Sequence, residues 1–440
     1  MDTQLTNEFV KNLSIQPQKP FQKILVNNSL LTAKDTDILN SHNFLFNKDL
    51  EQKLPVTDQK SSGRCWIFAA MNLIRSIAYR KWSEEENLEI ADFELSQTYI
   101  YFWDKLERYH RCLRFYLDIL NISDDFKREQ YLLKLNNDPL GDGGQWNMVS
   151  DLVKKYGVVP KKVMPDTFHS KNSSNMNKHL TMKLKDDFYK LSKTSIEERE
   201  NIINEMIMEI YTYLVGFLGK PPTTFNWTFK SKKDIVTWID LSPQSFLNKT
   251  GFNPDDWVSI VNDPRQENPY YNKYMIRYLG NTDNLHVSWL NLPIERLKEL
   301  TKLSLNNNQP VWFGCEVSAE YDKDTGIHDI GLFDYKNFMD YTISMTKEEK
   351  LRYFASIPSH AMVILGYHEN NGQIERWKIE NSWGSSSGTS GFQLMSDKWF
   401  SEYVFQIVIN KNLLNNNEKT IIESNNYSII EPWDPLGTLA

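Results

Sequence analysis

One stretch limits the fold more than any other. In QKSSGRCWIFAAMN, residues 59–72, a cysteine opens an apolar run, and residues 64–80 carry a helical pattern. Trp66, Phe68, Ala69, Ala70, Leu73, Ile74 and Ile77 crowd one side, and the first half of the helix is apolar almost all round. Such a helix is stable only when other elements enclose it. Cys65 therefore opens a buried helix, directly after a polar segment. A helix N-terminus carries partial positive charge and favours a thiolate. Packing alone does not need this placement, whereas a nucleophile does.

The rest of the chain supplies the enclosure in two styles. A helix is expected around Asp35–Asn43, and ELSQTYIYFWDKLERYHRCLRFYLDIL (94–120) is a long helical pattern rich in aromatics. LGDGGQWNM (140–148) breaks it, because three glycines in four residues make a turn that lets another backbone come close. SIEERENIINEMIMEIYTYLVGFLG (195–219) is amphipathic. Ser195 and Glu198 form a capping-box pattern, Ile203, Ile207, Ile210, Leu214 and Phe217 recur at helical spacing, and Gly219 with Pro221–Pro222 stops the helix. From Pro310 the texture changes. PVWFGCEV, HAMVILGYH, RWKIENSW, GFQLMS and EYVFQIVIN are short β-branched or aromatic runs between turn residues, hence strands of an antiparallel sheet. Helices first and strands last predict an α+β protein. The Asn-rich end, closing on EPWDPLGTLA, reads as an extended arm.

With 440 residues there is material for two or three domains, and thirteen tryptophans exclude a disordered chain. A net charge of −7 gives no overall basic field for nucleic acid or an anionic membrane. The first twenty residues do not read as a signal peptide, and no apolar run reaches membrane-spanning length. The three cysteines, Cys65, Cys112 and Cys315, form no CxxC pair. That argues against a disulfide framework or a structural zinc site, and for a reducing, cytoplasmic setting. Nothing in the sequence asks for a cofactor or a metal.

A cysteine nucleophile needs an imidazole, a group that holds the imidazole, and donors for an oxyanion. His360, opening SHAMVILGYH, can supply the imidazole, and Asn381 in ENSWG can accept from it. Trp383 can shield that bond from water. Gln59 can offer its amide NH₂ beside the backbone N–H of Cys65. Cys112 and Cys315 lack such company and are expected to be buried small hydrophobes. His368 precedes a polar turn and is expected at a strand end or the surface, and His328, in a Gly/Asp loop, is expected to be solvated.

Gln, Cys, His and Asn in that order resemble the papain-like cysteine peptidases. The interval from residue 65 to residue 360 is about twice the ~130–150 positions of the simple family, which leaves room for an inserted small domain. QKSSGRCWIF, LGDGGQW, VKKYGVVPK, VNDPR, SHAM, RWKIENSWG, KWFSEYV and EPWDPLGTLA narrow the resemblance to the bleomycin hydrolase / aminopeptidase C family. GRCWIF departs from the simple family's signature just upstream of the cysteine.

The resemblance implies a papain-like fold, a helical half plus an antiparallel β half, with a large helical insertion and N- and C-terminal extensions. The expected parts are an extension at 1–50, a catalytic domain at 51–155 and 290–410 with a local insertion at about 95–138, a mainly helical insertion at 156–289, and an arm at 411–440 reaching the active-site cleft. The resemblance further implies a homohexamer and a cysteine aminopeptidase acting on peptides with a free N-terminus. Gly143 and Gly144 would pair with substrate backbone. The carboxylate of Ala440 would meet the substrate ammonium, and a chain ending at this residue resembles the trimmed form of the family. The alternative is a catalytically silent hexameric scaffold or nucleic-acid-binding ring. The presence of all four site residues and the negative net charge count against it.

Overall fold

The computed structural model describes all residues except 1–10, 12–19, 30–32, 51–53, 86–87, 89–92, 232–233, 283–286, 337–341 and 439–440. The cysteine helix, Cys65–Arg80, is buried along nearly its whole length, as its apolar circumference requires. Gln97–Leu120, capped by the Ser96 side chain, packs beside it and buries Tyr99 through Phe102. Trp146–Tyr156 completes the inner helical layer and stops at Gly157, whose φ of +72° suits glycine. Ser174–Lys193 and Arg199–Leu218 lie outside it and add Leu180, Leu184, Ile203, Ile210 and Leu214 to the same core. Ile207 and Phe217, expected on the apolar stripe, pack against this core only partly buried. The expected capping box does not form: the segment opens as a 3-10 turn, and the Ser195 hydroxyl instead donates to the Glu198 carboxylate at 2.9 Å.

The described residues also form a twelve-stranded sheet, drawn mostly from the second half of the chain. Val404–Asn410, Val311–Cys315, His360–Asn370, Gln373–Glu380 and Phe392–Ser396 run antiparallel in that spatial order. Ile327–His328 adds in parallel to Phe392–Ser396, and Tyr321–Asp322 follows at the edge. Along His360–Asn370, Ala361, Val363 and Leu365 face the helical core, while Met362 and Ile364 face a second core with Phe313, Ile379 and Trp399. The two-residue period of the strand thus seals both halves of the molecule.

Two segments differ from their sequence reading. Trp257–Val261 and Asn272–Ile276, read above inside a mainly helical insertion, and Ser288–Asn291, across its end, are strands of this same sheet, joined through Val404–Asn410. They are only four or five residues long, so no periodicity marks them. The end of the chain is not simply extended. Asn416–Glu423 is a helix, and Glu418 makes a two-point ion pair with Arg296 at 2.8 and 2.9 Å. Ser428–Ile430 then pairs in parallel with Asn272–Ile276. No helix among the described residues is long and apolar enough to cross a membrane.

Candidate active site

Cys65 sits at the first turn of its helix, and Arg64 before it makes no side-chain cap. The leading N–H groups of the helix are therefore free to face the sulfur. Arg64 itself is fully buried. Its Nε donates to Ser62 Oγ at 2.9 Å, and its guanidinium lies over Phe68 and Tyr101. The arginine that departs from the simple signature thus fastens the loop before Cys65.

The backbone N–H groups of Ala361, the residue after His360, and of Trp66 and Cys65 are near enough to the sulfur to favour its anionic form. Burial nonetheless dominates and pushes the Cys65 thiol up to about 11. Burial likewise pushes the His360 imidazole down to about 4, against the bond to Asn381. The sequence reading had the helix tip lowering the thiol pKa. The site is too dry for that, since Cys65 is only 2% exposed. Burial therefore penalises a lone charge on either group.

His360 Nε2 lies 2.9 Å from Asn381 Oδ1. That oxygen also accepts from the Ser382 N–H at 2.7 Å, so the amide is oriented and Nε2 is the protonated ring nitrogen. Strand register explains the meeting. Val363 pairs with Glu380, so His360 and Asn381 share the opposite face. Glu380, on the other face, meets Arg75 of the cysteine helix at 2.7 Å in a buried ion pair. The Trp383 ring lies 4.9 Å from the His360 ring, on the imidazole it was expected to shield.

Gln59 is held by the same dipeptide. Its Oε1 accepts from Ser382 Oγ at 2.6 Å, and its N–H donates to the Ser382 carbonyl at 2.8 Å. The amide NH₂ therefore points away from Ser382, with one hydrogen on the Ser62 carbonyl at 2.7 Å.

Asp142, within the glycine loop, is a residue that sequence reasoning missed. Its carboxylate accepts from the Gly63 N–H at 3.0 Å, from Tyr101 and Asn177 at 2.5 Å each, and from Ser173. Burial alone would raise its pKa. Lys105 and these hydrogen bonds outweigh burial and hold it well below the usual carboxylate range. Trp66 Nε1 donates to the Asp142 carbonyl at 2.6 Å. This hub ties the glycine loop to the loop before Cys65. Gly144 packs so closely on Trp66 that an added Cβ would collide with the indole. The Gly143 carbonyl already accepts from Arg108 at 2.9 Å.

Gln145, the next residue, is a second miss. Its Nε2 donates to the carbonyls of Leu436 and Thr438, at 2.9 Å each. Thr438 Oγ1 donates to the Pro358 carbonyl at 2.9 Å, two residues before His360. The end of the arm thus lies between the glycine loop and the histidine strand. Ala440 lies outside the described residues.

Cys112 and Cys315 are buried and free, as expected of small core residues. His368 is half-buried near the end of its strand. His328 is a correction. It is fully buried within the two-residue strand Ile327–His328, stacked on Tyr321 at 4.3 Å. Sequence showed only flanking Gly and Asp, and two residues are too few to display a period.

A family model described as the Peptidase C1-like family matches residues 1–437. Bleomycin hydrolase from Gallus gallus is 37% identical over 402 residues, covering 88% of this chain and 86% of that protein. Aminopeptidase C from Listeria monocytogenes serovar 1/2a is 34% identical over 453 residues, covering all of both chains. Among solved structures, that of pepw from Lactobacillus rhamnosis HN001 superposes with a TM-score of 0.92 at 35% identity, covering all of both chains.

Proposed function

The chain belongs to the Peptidase C1-like family, and from that premise we propose that it is a cysteine aminopeptidase using Cys65, His360, Asn381 and Gln59. Relatives bearing the names aminopeptidase C and bleomycin hydrolase support removal of N-terminal residues from peptides and related amides. One observation carries the assignment of residues. The sulfur sits at a helix tip near the N–H of the residue after His360, whose Nε2 is tied to an oriented asparagine.

Asn381 keeps the proton on Nε2, which leaves the Nδ1 lone pair free. The Cys65 proton passes to Nδ1, and the resulting thiolate attacks the first peptide carbonyl. The oxyanion takes hydrogen bonds from the remaining Gln59 N–H and the Cys65 backbone N–H. The imidazolium gives its Nδ1 proton to the departing amine as the C–N bond breaks, which leaves a thioester. Water then gives a proton to Nδ1, attacks the thioester and frees the acid, and the proton returns to sulfur.

The C-terminal arm restricts the cleft, and its grip by Gln145 and Pro358 supports that role. It fills the groove on the side from which a longer peptide would enter, which favours a substrate that starts near the scissile bond. The Ala440 carboxylate pairs with the substrate ammonium, and Gly143 and Gly144 pair with its backbone. A homohexamer and a cytoplasmic location follow the same family resemblance, and sedimentation velocity tests the former.

The experiment is hydrolysis of a fluorogenic aminoacyl amide, N-terminally free or acetylated. We expect turnover of the free substrate, little of the blocked one, and none with Cys65→Ala. Undiminished hydrolysis by Cys65→Ala removes the assignment.

A further inference from the structure

Behind the candidate pair lies a second, fully buried polar row. Asn381 Nδ2 donates to Gln393 Oε1 at 3.1 Å, and His328 Nε2 lies 3.0 Å from that same oxygen. Gln393 Nε2 donates to Tyr321 OH at 2.9 Å and to Ser387 Oγ at 3.0 Å. Neither His328 nor Gln393 is accessible at all. Register builds the row. Gln393 pairs with Ile379, two residues before Asn381, and His328 pairs with Met395, two residues after Gln393. All three side chains therefore share one face of the sheet.

The hydrogens of this row are determined. Asn381 Oδ1 accepts from Ser382, so Nδ2 must be the donor to Gln393. Gln393 Oε1 is then an acceptor only, and His328 must carry its proton on Nε2. His328 Nδ1 has no partner, and burial is the largest cause keeping the ring neutral. Each donor has one acceptor, and the chain of choices ends on the Nε2–H of His360.

We propose that His328 and Gln393 are positioning residues that lock Asn381, and through it fix which nitrogen of His360 holds the proton. The proposal rests on the peptidase reading. If Asn381 turns over, its NH₂ faces His360 Nε2, the ring proton moves to Nδ1, and no lone pair remains for the Cys65 proton. Buried His328 resists that turn, because a flipped Asn381 or Gln393 would leave two donors or two acceptors facing each other in a dry site.

The test uses the full-length protein. His328→Met and Gln393→Met remove the hydrogen bonds and keep bulk, while His328→Gln returns an N–H donor near the Nε2 position. Tyr321→Phe, which removes only one acceptor of Gln393, is the milder variant should either Met variant fail to fold. We expect kcat on a free aminoacyl amide to fall on the order of 10-fold in both Met variants, with KM changed by less than about 2-fold. His328→Gln should recover most of the loss. Nitrogen-15 NMR should show His360 as the Nε2–H tautomer in the native chain and in His328→Gln, and as a mixture in the Met variants and, to a smaller extent, in Tyr321→Phe. A single Nε2–H tautomer with native kcat in the Met variants overturns the proposal. So do equal losses in His328→Met and His328→Gln, which mark packing alone. The tautomer measurement needs no hydrolysis, so it decides this point even if the native chain cleaves no amide.

Discussion

His360 and His328 give the molecule a measurable response to acid. Both are buried, and burial holds each near 4 against an ordinary 6.5. Between those values the unfolded chain binds more protons than the folded one, so stability rises with pH. The contribution is complete above about pH 6.5 and is lost as pH falls toward 4. The slope approaches about 1.4 kcal/mol per pH unit for each histidine. Thermal unfolding of the native chain and of His328→Gln between pH 7 and pH 4 should show a shallower acid decline in the variant. Identical declines would mean that the His328 ring is not protected. The same pair shows what sequence can reveal of a residue. His360 was legible because SHAM and the strand-like run after it give it a context. His328 was not, because its burial depends on an edge strand two residues long and on Gln393, sixty-five positions away in the chain.

At the scale of elements, apolar pattern decided what could be read. The cysteine helix carries a long apolar pattern, the five antiparallel strands after Pro310 carry β-branched or aromatic runs bounded by turn residues, and all fall where those patterns put them. The strands at 257–261, 272–276 and 288–291 draw their stability from neighbours in the sheet, so their sequences need show little. The glycine loop was legible as a turn but not as a hub, since Asp142 collects its donors from three other segments of the chain. Its closeness to Trp66 makes a sharp prediction. Gly144→Ala puts a methyl group into the indole, so either the loop or the cysteine helix must move. We expect a loss of about 1–3 kcal/mol in stability. The aminoacyl amide assay should show a lower kcat as well, because the shift passes directly to Cys65. An unchanged thermal midpoint together with unchanged kcat would mean that the loop yields freely.

Across the whole molecule, the arm is the feature that links distant parts. It begins in a helix held by Arg296, adds a strand beside residues 272–276, and ends between Gln145 and Pro358. Pro435, Leu436 and Gly437 are buried, so this end is packed through residue 438. Removing residues 437–440 should open the groove. Internal cleavage of acetylated peptides should then rise from near zero, while turnover of free aminoacyl amides falls on the order of 10-fold if the proposed ammonium contact is lost. Mass spectrometry of the products distinguishes the two modes. Equal internal cleavage by the intact chain would show that the arm does not restrict entry.

One peptide unit, Asn381–Ser382, faces both sides of the chemistry. Its first side chain orients the imidazole proposed to carry the proton, and its second orients the amide proposed to meet the developing negative charge. A shared pivot of this kind cannot be tuned for one task without disturbing the other. Drift at this dipeptide would therefore silence the enzyme outright, and changes of substrate preference have to come from surfaces that leave it alone.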